Sequence, residues 1–337
     1  MMRAASAIGQ NRLLRGVAQA LFSLALLGWL FTRIDIAHLQ EALLATNLAL
    51  WAAGLAAAIV AWLLNTAKWQ LLLRALHYPV PYMRLLGLNF IGMFYSIVLP
   101  GQVSGEVVKG FRLAQWGVPA GPTTLTITLD RLTGLIALGV LGLLGLLVAP
   151  PPFAYGLFFA LSTLVVVAAV SPIALLAMKL PEKQSQVSVA NLNLLQRFIG
   201  QALESIAVYQ RSPQVLALAL IQAIGFQMLV AMSNYLIALG VGVQVPPLSL
   251  LWIVSVVSLV SMLPLALGGL GLREGAYAFL LQQYGVPLSL GVSLSLAVFG
   301  VMLTLAVIGG MVEALWPRLA RTTAPFAAPL DSSKPPR

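Results

Sequence analysis

Glu106, Lys109 and Arg112 stand three residues apart in a segment that is otherwise mostly apolar. On one helix that spacing presents all three on adjacent faces. Asp130-Arg131 sits inside a second apolar run, Arg273-Glu274 follows a glycine run, and Glu313 lies near the end of the last apolar run. Ionisable groups within apolar segments are costly in a bilayer, so a ligand site or pathway is their default reading. The chemistry these residues offer is capture of an anion. Arg273 follows Gly268-Gly269-Leu270-Gly271. A glycine-lined backbone exposes N–H groups, and a helix starting there adds its positive dipole end, which suits a phosphate headgroup. Lys109 and Arg112 would serve the first segment in the same way. The competing reading is internal ion pairing: Glu106 and Asp130 against Lys109, Arg112 or Arg131, and Glu313 at interfacial depth. Glu274 is expected to be a poor direct partner of Arg273, because neighbours on a helix point about 100° apart.

Other chemistry is excluded by composition. The chain has no cysteine and two histidines, His38 and His77, so neither a thiolate nor a histidine metal site is expected. There is no Ser/His/Asp cluster, and the glycine run at 268–271 lacks the lysine and the strand–helix context of a nucleotide loop. No enzyme activity, metal or cofactor is expected. The net charge of +10 reads as a bias of Lys and Arg toward the cytoplasmic face, not as a nucleic-acid surface.

The elements that must position these charges are membrane helices. Only 8% of residues are charged, against about 25% in soluble domains. With 60% hydrophobic residues and a mean hydropathy of +0.95, the chain is expected to be an all-α integral membrane protein. Apolar runs long enough to cross lie at residues 17–32, 43–67, 123–148, 153–178, 215–239 and 288–315. The first is read as an uncleaved helix, since Thr32-Arg33-Ile34 is no small-residue cleavage site. Lys68, Arg74 and Arg84 are read as one basic cytoplasmic loop. Residues 179–212 read as an amphipathic linker on the inner surface, residues 1–16 as a cytoplasmic N-terminus, and residues 317–337 as a disordered cytoplasmic tail. In this layout all 19 Lys and Arg lie inside except Arg33, Arg131 and Arg273.

Two further apolar segments are broken. Residues 85–116 contain Leu99-Pro100-Gly101-Gln102-Val103-Ser104-Gly105-Glu106, and residues 248–286 contain Leu263-Pro264 and the glycine run. Proline removes a backbone donor and glycine relaxes the chain, so a helix breaks at each. Parity of the flanking loops makes each segment enter and return on one side, the first from the cytoplasm and the second from outside. The expectation is six full spans plus two re-entrant helical hairpins. They form two halves, about 17–148 and 153–316, related as an inverted repeat.

At these breaks the chain resembles the transmembrane domain of lysylphosphatidylglycerol synthases, labelled flippase-like. The resembling residues are Asn89, Leu99-Pro100-Gly101 through Gly105-Glu106, Lys109, Asp130-Arg131, Leu263-Pro264 and Gly268-Gly269-Leu270-Gly271-Leu272-Arg273-Glu274. Members often carry Arg where Lys109 stands and Glu where Asp130 stands. The resemblance implies movement of a phospholipid or polyprenyl-phosphate-type lipid between leaflets of the inner membrane. Together with the spacing of the charges, which adds Arg112, it makes Asn89, Gly101, Gln102, Ser104, Glu106, Lys109, Arg112, Asp130, Arg131, Gly268, Gly269, Gly271, Arg273 and Glu274 the candidate headgroup residues. Pro100, Gly105 and Pro264 are the hairpin breaks. The synthases' soluble aminoacyltransferase domain is expected to be absent, since the chain ends shortly after the last run. The rival expectation is a non-transporting scaffold or regulator of a lipid-modifying glycosyltransferase.

Overall fold

The computed structural model describes residues 36–99, 104–148, 208–209, 211–262 and 269–320, with residues 28 and 32. Among them it forms nine helices and no strand: α1 Ile36–Leu44, α2 Leu48–Ala75, α3 Tyr82–Val98, α4 Ser104–Gln115, α5 Ala120–Val148, α6 Pro213–Val241, α7 Pro247–Ser261, α8 Leu272–Gln282 and α9 Leu288–Ala320. Local signals set several boundaries. The Asn47 side chain accepts from the Ala49 and Leu50 amides and so starts α2. Pro213 and Pro247 occupy first-turn positions that need no amide donor. Gly242, at φ 89°, ends α6 in a left-handed cap.

Four helices are long and apolar enough to cross a bilayer: α2, α5, α6 and residues Leu288–Trp316 of α9. The other large helices come as pairs around the two expected breaks. α3 and α4 have 17 and 12 residues, and α7 and α8 have 15 and 11. At about 1.5 Å per residue, each falls short of a hydrocarbon core about 30 Å thick. Within each pair the two helices pack on one another.

The most extensive helix contact is between α2 and α6, which run antiparallel. The Asn47 amide donates to the Gly240 carbonyl at one end, and Tyr209, just before α6, donates to the Leu72 carbonyl at the other. Around this pair, α9 packs on α3 and α5 packs on α7. Glycine permits both crossings. A Cβ on Gly309 would collide with the Phe90 carbonyl, and one on Gly145 would lie 2.8 Å from the Leu248 carbonyl.

Three sequence expectations change. Residues 36–44, read as loop and the start of a span, form a separate helix broken from α2 by Ala45–Asn47. α2 does not stop near residue 67. It runs on to Ala75, so Lys68 belongs to the bundle and not to the basic loop. α9 runs to Ala320, past the expected start of the tail. The expected span at 17–32 apart from residues 28 and 32, the span at 153–178, the terminal segment 1–16, most of the amphipathic linker and residues 321–337 lie outside the described residues.

Candidate functional site

The first cluster gathers where α4 crosses α3, α2 and α5. Lys109 is 6% exposed, and its aliphatic stem lies across Gly92 of α3, where any Cβ would meet Lys109 Cε at 2.6 Å. Its ammonium stands 5.3 Å from the centre of the Trp69 ring on α2. One oxygen of Glu106 serves two cations, Lys109 at 3.5 Å and Arg131 at 3.6 Å. Both distances exceed those of direct charge-assisted hydrogen bonds, about 2.7–2.9 Å. Glu106 is therefore held loosely.

The helices packed near this lysine carry buried polar atoms without a protein partner. Asn89, 1% exposed, donates from Nδ2 to Thr66 Oγ1 at 2.8 Å, while its Oδ1 has no protein partner. Trp69 Nε1 and Thr123 Oγ1 are also buried without one. Thr123 lies beside Gly110, the residue after Lys109. An unmet buried polar group costs about 1–3 kcal/mol, so three on adjoining helices make this region the candidate place for a polar guest. Together they offer an ammonium, an indole N–H and a hydroxyl as donors, and an amide oxygen and a carboxylate as acceptors.

Asp130 pairs with Lys68, which the sequence reading had placed in a loop. Lys68 is 1% exposed; its ammonium is 3.0 Å from Asp130 Oδ1 and donates to the Asp130 carbonyl at 3.1 Å. None of the three partners expected for Asp130 takes that place. Arg112, one turn beyond Lys109, turns away to Glu313 of α9 at 2.6 Å, and Tyr95 donates to the same Glu313 oxygen at 3.3 Å.

Arg273 is the clearest correction. Glu274 is its direct partner, at 2.5 Å. The capping geometry of α8 explains why. Gly271, at φ 85°, sits at the N-cap, and its amide donates to Glu274 Oε2 at 2.6 Å. This folds the carboxylate back over the helix start, where the long arginine reaches its other oxygen. Ser295 accepts from Arg273 Nε at 3.1 Å and donates to Glu274 Oε1 at 3.2 Å, and the Phe299 ring lies 4.8 Å from the guanidinium. The helix terminus expected to receive an anion thus receives Glu274.

The structure therefore brings together Glu106, Lys109 and Arg131, with Asp130 adjoining through the next residue and Asn89 three residues before Gly92, which Lys109 crosses. It sets Arg112 apart with Glu313, and it separates Arg273, Glu274, Gly269 and Gly271 on α8 and its approach. Ser104 donates to the Tyr95 carbonyl at 3.0 Å and ties α4 to α3, and Gly105 packs against the Gly92 carbonyl. Pro100, Gly101, Gln102, Pro264 and Gly268 lie outside the described residues. Sequence reasoning missed Thr66, Lys68, Trp69 and Thr123. For Lys68 a signal existed: Trp69-Gln70-Leu71-Leu72-Leu73 continues the apolar helix beyond it.

No curated protein and no solved structure matches the chain. The family model described as the lysylphosphatidylglycerol synthase TM region matches residues 16–310, nearly the whole chain. The paired short helices, the buried charges and this match agree, and the chain belongs to the lysylphosphatidylglycerol synthase TM region family.

Proposed function

We propose that this protein is a lipid transporter of the inner membrane, moving an anionic phospholipid or polyprenyl-phosphate-type lipid between leaflets, with the headgroup taken at Lys109. The observation that carries this reading is the cluster itself. A buried ammonium held by a long ion pair lies over the Trp69 ring, and the adjoining helices carry three buried polar atoms with no protein partner, Trp69 Nε1, Asn89 Oδ1 and Thr123 Oγ1. Other ion pairs in the same molecule close more tightly, as at Arg112–Glu313 and Arg273–Glu274, at 2.6 and 2.5 Å. An anion entering beside Lys109 replaces Glu106 as its partner and meets the donors of Trp69 and Thr123.

The architecture proposed for this work is an inverted repeat with two re-entrant hairpins and both termini cytoplasmic. The antiparallel α2–α6 pair supports it, as does the exchange in which α9 covers α3 and α5 covers α7. The tight closure of Arg273 is what favours the rival reading, a scaffold that moves no lipid. Purified protein in liposomes separates the two, read by the accessibility of labelled headgroups across leaflets. Vesicles containing phosphatidylglycerol or a polyprenyl phosphate should show movement of the anionic lipid, and Lys109→Gln should slow it about ten-fold or more, the loss of one charge-assisted contact. If no anionic lipid moves with the unaltered protein, the scaffold reading stands.

A further inference from the structure

We propose that α4 is the gate over the Lys109 cluster, and that Arg112 with Glu313 is its latch. The proposal rests on the headgroup site above and adds how that site is reached. The site atoms are sealed: Trp69, Asn89 and Thr123 are 2%, 1% and 4% exposed. A headgroup reaches them only if a wall moves.

α4 is the weakest wall. Its buried residues are Gly105, Lys109 and Leu113, a single stripe four residues apart, while Val107 and Phe111 face outward. Its counterpart after the second break, α8, buries Arg273, Glu274, Tyr277, Ala278, Leu280 and Leu281, and packs extensively on α9. Segments with few buried contacts open first. The backbone neighbours of α4 are α3 and α5. Its ties to α9, in the other half, are side chains: Arg112 to Glu313, and the stack of Trp116 on Trp316 at 5.9 Å between ring centres. Both lie toward the C-terminal end of α4, away from Ser104, whose bond to the Tyr95 carbonyl holds the other end to α3. That arrangement is a hinge at one end and a clasp at the other. The clasp is also incomplete, since Glu313 Oε2 is buried with no protein partner. Lys109 lies between hinge and clasp, so swinging α4 outward withdraws the ammonium from Trp69 and uncovers the pocket.

The absence of cysteine makes the test clean. Asn89→Cys is placed in the otherwise unaltered full-length protein in liposomes, and its reaction with a water-soluble maleimide is timed. Adding Glu313→Gln should speed labelling about ten-fold, as expected when one charge-assisted bond leaves an opening equilibrium. Adding the milder Tyr95→Phe should speed it less. Exchanging the pair, Arg112→Glu with Glu313→Arg, should return it toward the slow rate. Equal labelling in all these backgrounds overturns the gate. A second arm uses Arg112→Cys with Glu313→Cys and a cleavable bis-maleimide. The cross-link should stop lipid movement and its cleavage should restore it. Movement that continues unchanged with the cross-link in place also overturns the proposal. If no form moves lipid, the transport reading fails, and the labelling arm still decides the gate.

Discussion

Lys68 and Asp130 show what a charge costs in this bundle. Lys68 is 1% exposed, and its ammonium lies 3.0 Å from the Asp130 carboxylate and donates to the Asp130 carbonyl. Removing one partner of a buried pair leaves an uncompensated charge and costs about 3–5 kcal/mol. Asp130→Asn should therefore lower the unfolding temperature in detergent sharply. Replacing both, Lys68→Met with Asp130→Leu, should recover most of the loss, because an apolar pair of similar volume needs no counter-charge. A single mutant as stable as the unaltered protein would show that Lys68 reaches solvent. Asp130 was legible in the sequence because a carboxylate in an apolar run needs either a ligand or a buried partner. Lys68 was misplaced, because a lysine followed by Arg74 and Arg84 looks like the start of a basic loop, although Trp69 to Leu73 continue the apolar helix past it. Arg273 was legible as buried but not as paired. Its partner is set by the capping bend of Glu274, which depends on backbone geometry at Gly271 that helical spacing alone does not encode.

The breaks between paired helices were legible from Pro and Gly, since these residues act through local backbone chemistry. The contacts that position the pairs were not, because many glycines in this chain look alike in sequence while their surroundings differ. Gly309 is pressed on the Phe90 carbonyl, whereas Gly275 in α8 has nothing within 4 Å of an added Cβ. Gly309→Ala must push α9 off α3. Overpacking of this kind costs about 1–3 kcal/mol. Gly275→Ala meets no neighbour and gains helix propensity, up to about 1 kcal/mol. Thermal unfolding of the two purified variants should move in opposite directions. Equal shifts would mean that α3 and α9 do not cross as closely as described. Because α3 carries Asn89 and Gly92, Gly309→Ala should also weaken any ligand effect on stability, while Gly275→Ala should leave it in place.

At the scale of the molecule, the two halves share little sequence beyond a Leu-Pro break and a following Glu, so their relation had to be inferred from charge and parity. The packing gives an independent line. α2 and α6 hold corresponding places in the proposed repeat, and the Asn47–Gly240 and Leu72–Tyr209 contacts lay them antiparallel. The turn after α2 and the turn after α6 therefore lie at opposite ends of the pair. Arg74 and Arg84 flank the first turn, while residues 242–246 carry no charge, and basic residues favour the cytoplasmic side. His77 and Gln244 are exposed in these turns, which allows a direct test in a chain without cysteine. With His77→Cys and Gln244→Cys made singly, a membrane-impermeant maleimide added to intact cells should label position 244 and spare position 77. Inside-out vesicles should reverse the pattern. Labelling of both positions from one side would place the two turns on the same face. That result would contradict the antiparallel pair, and with it the inverted arrangement proposed above.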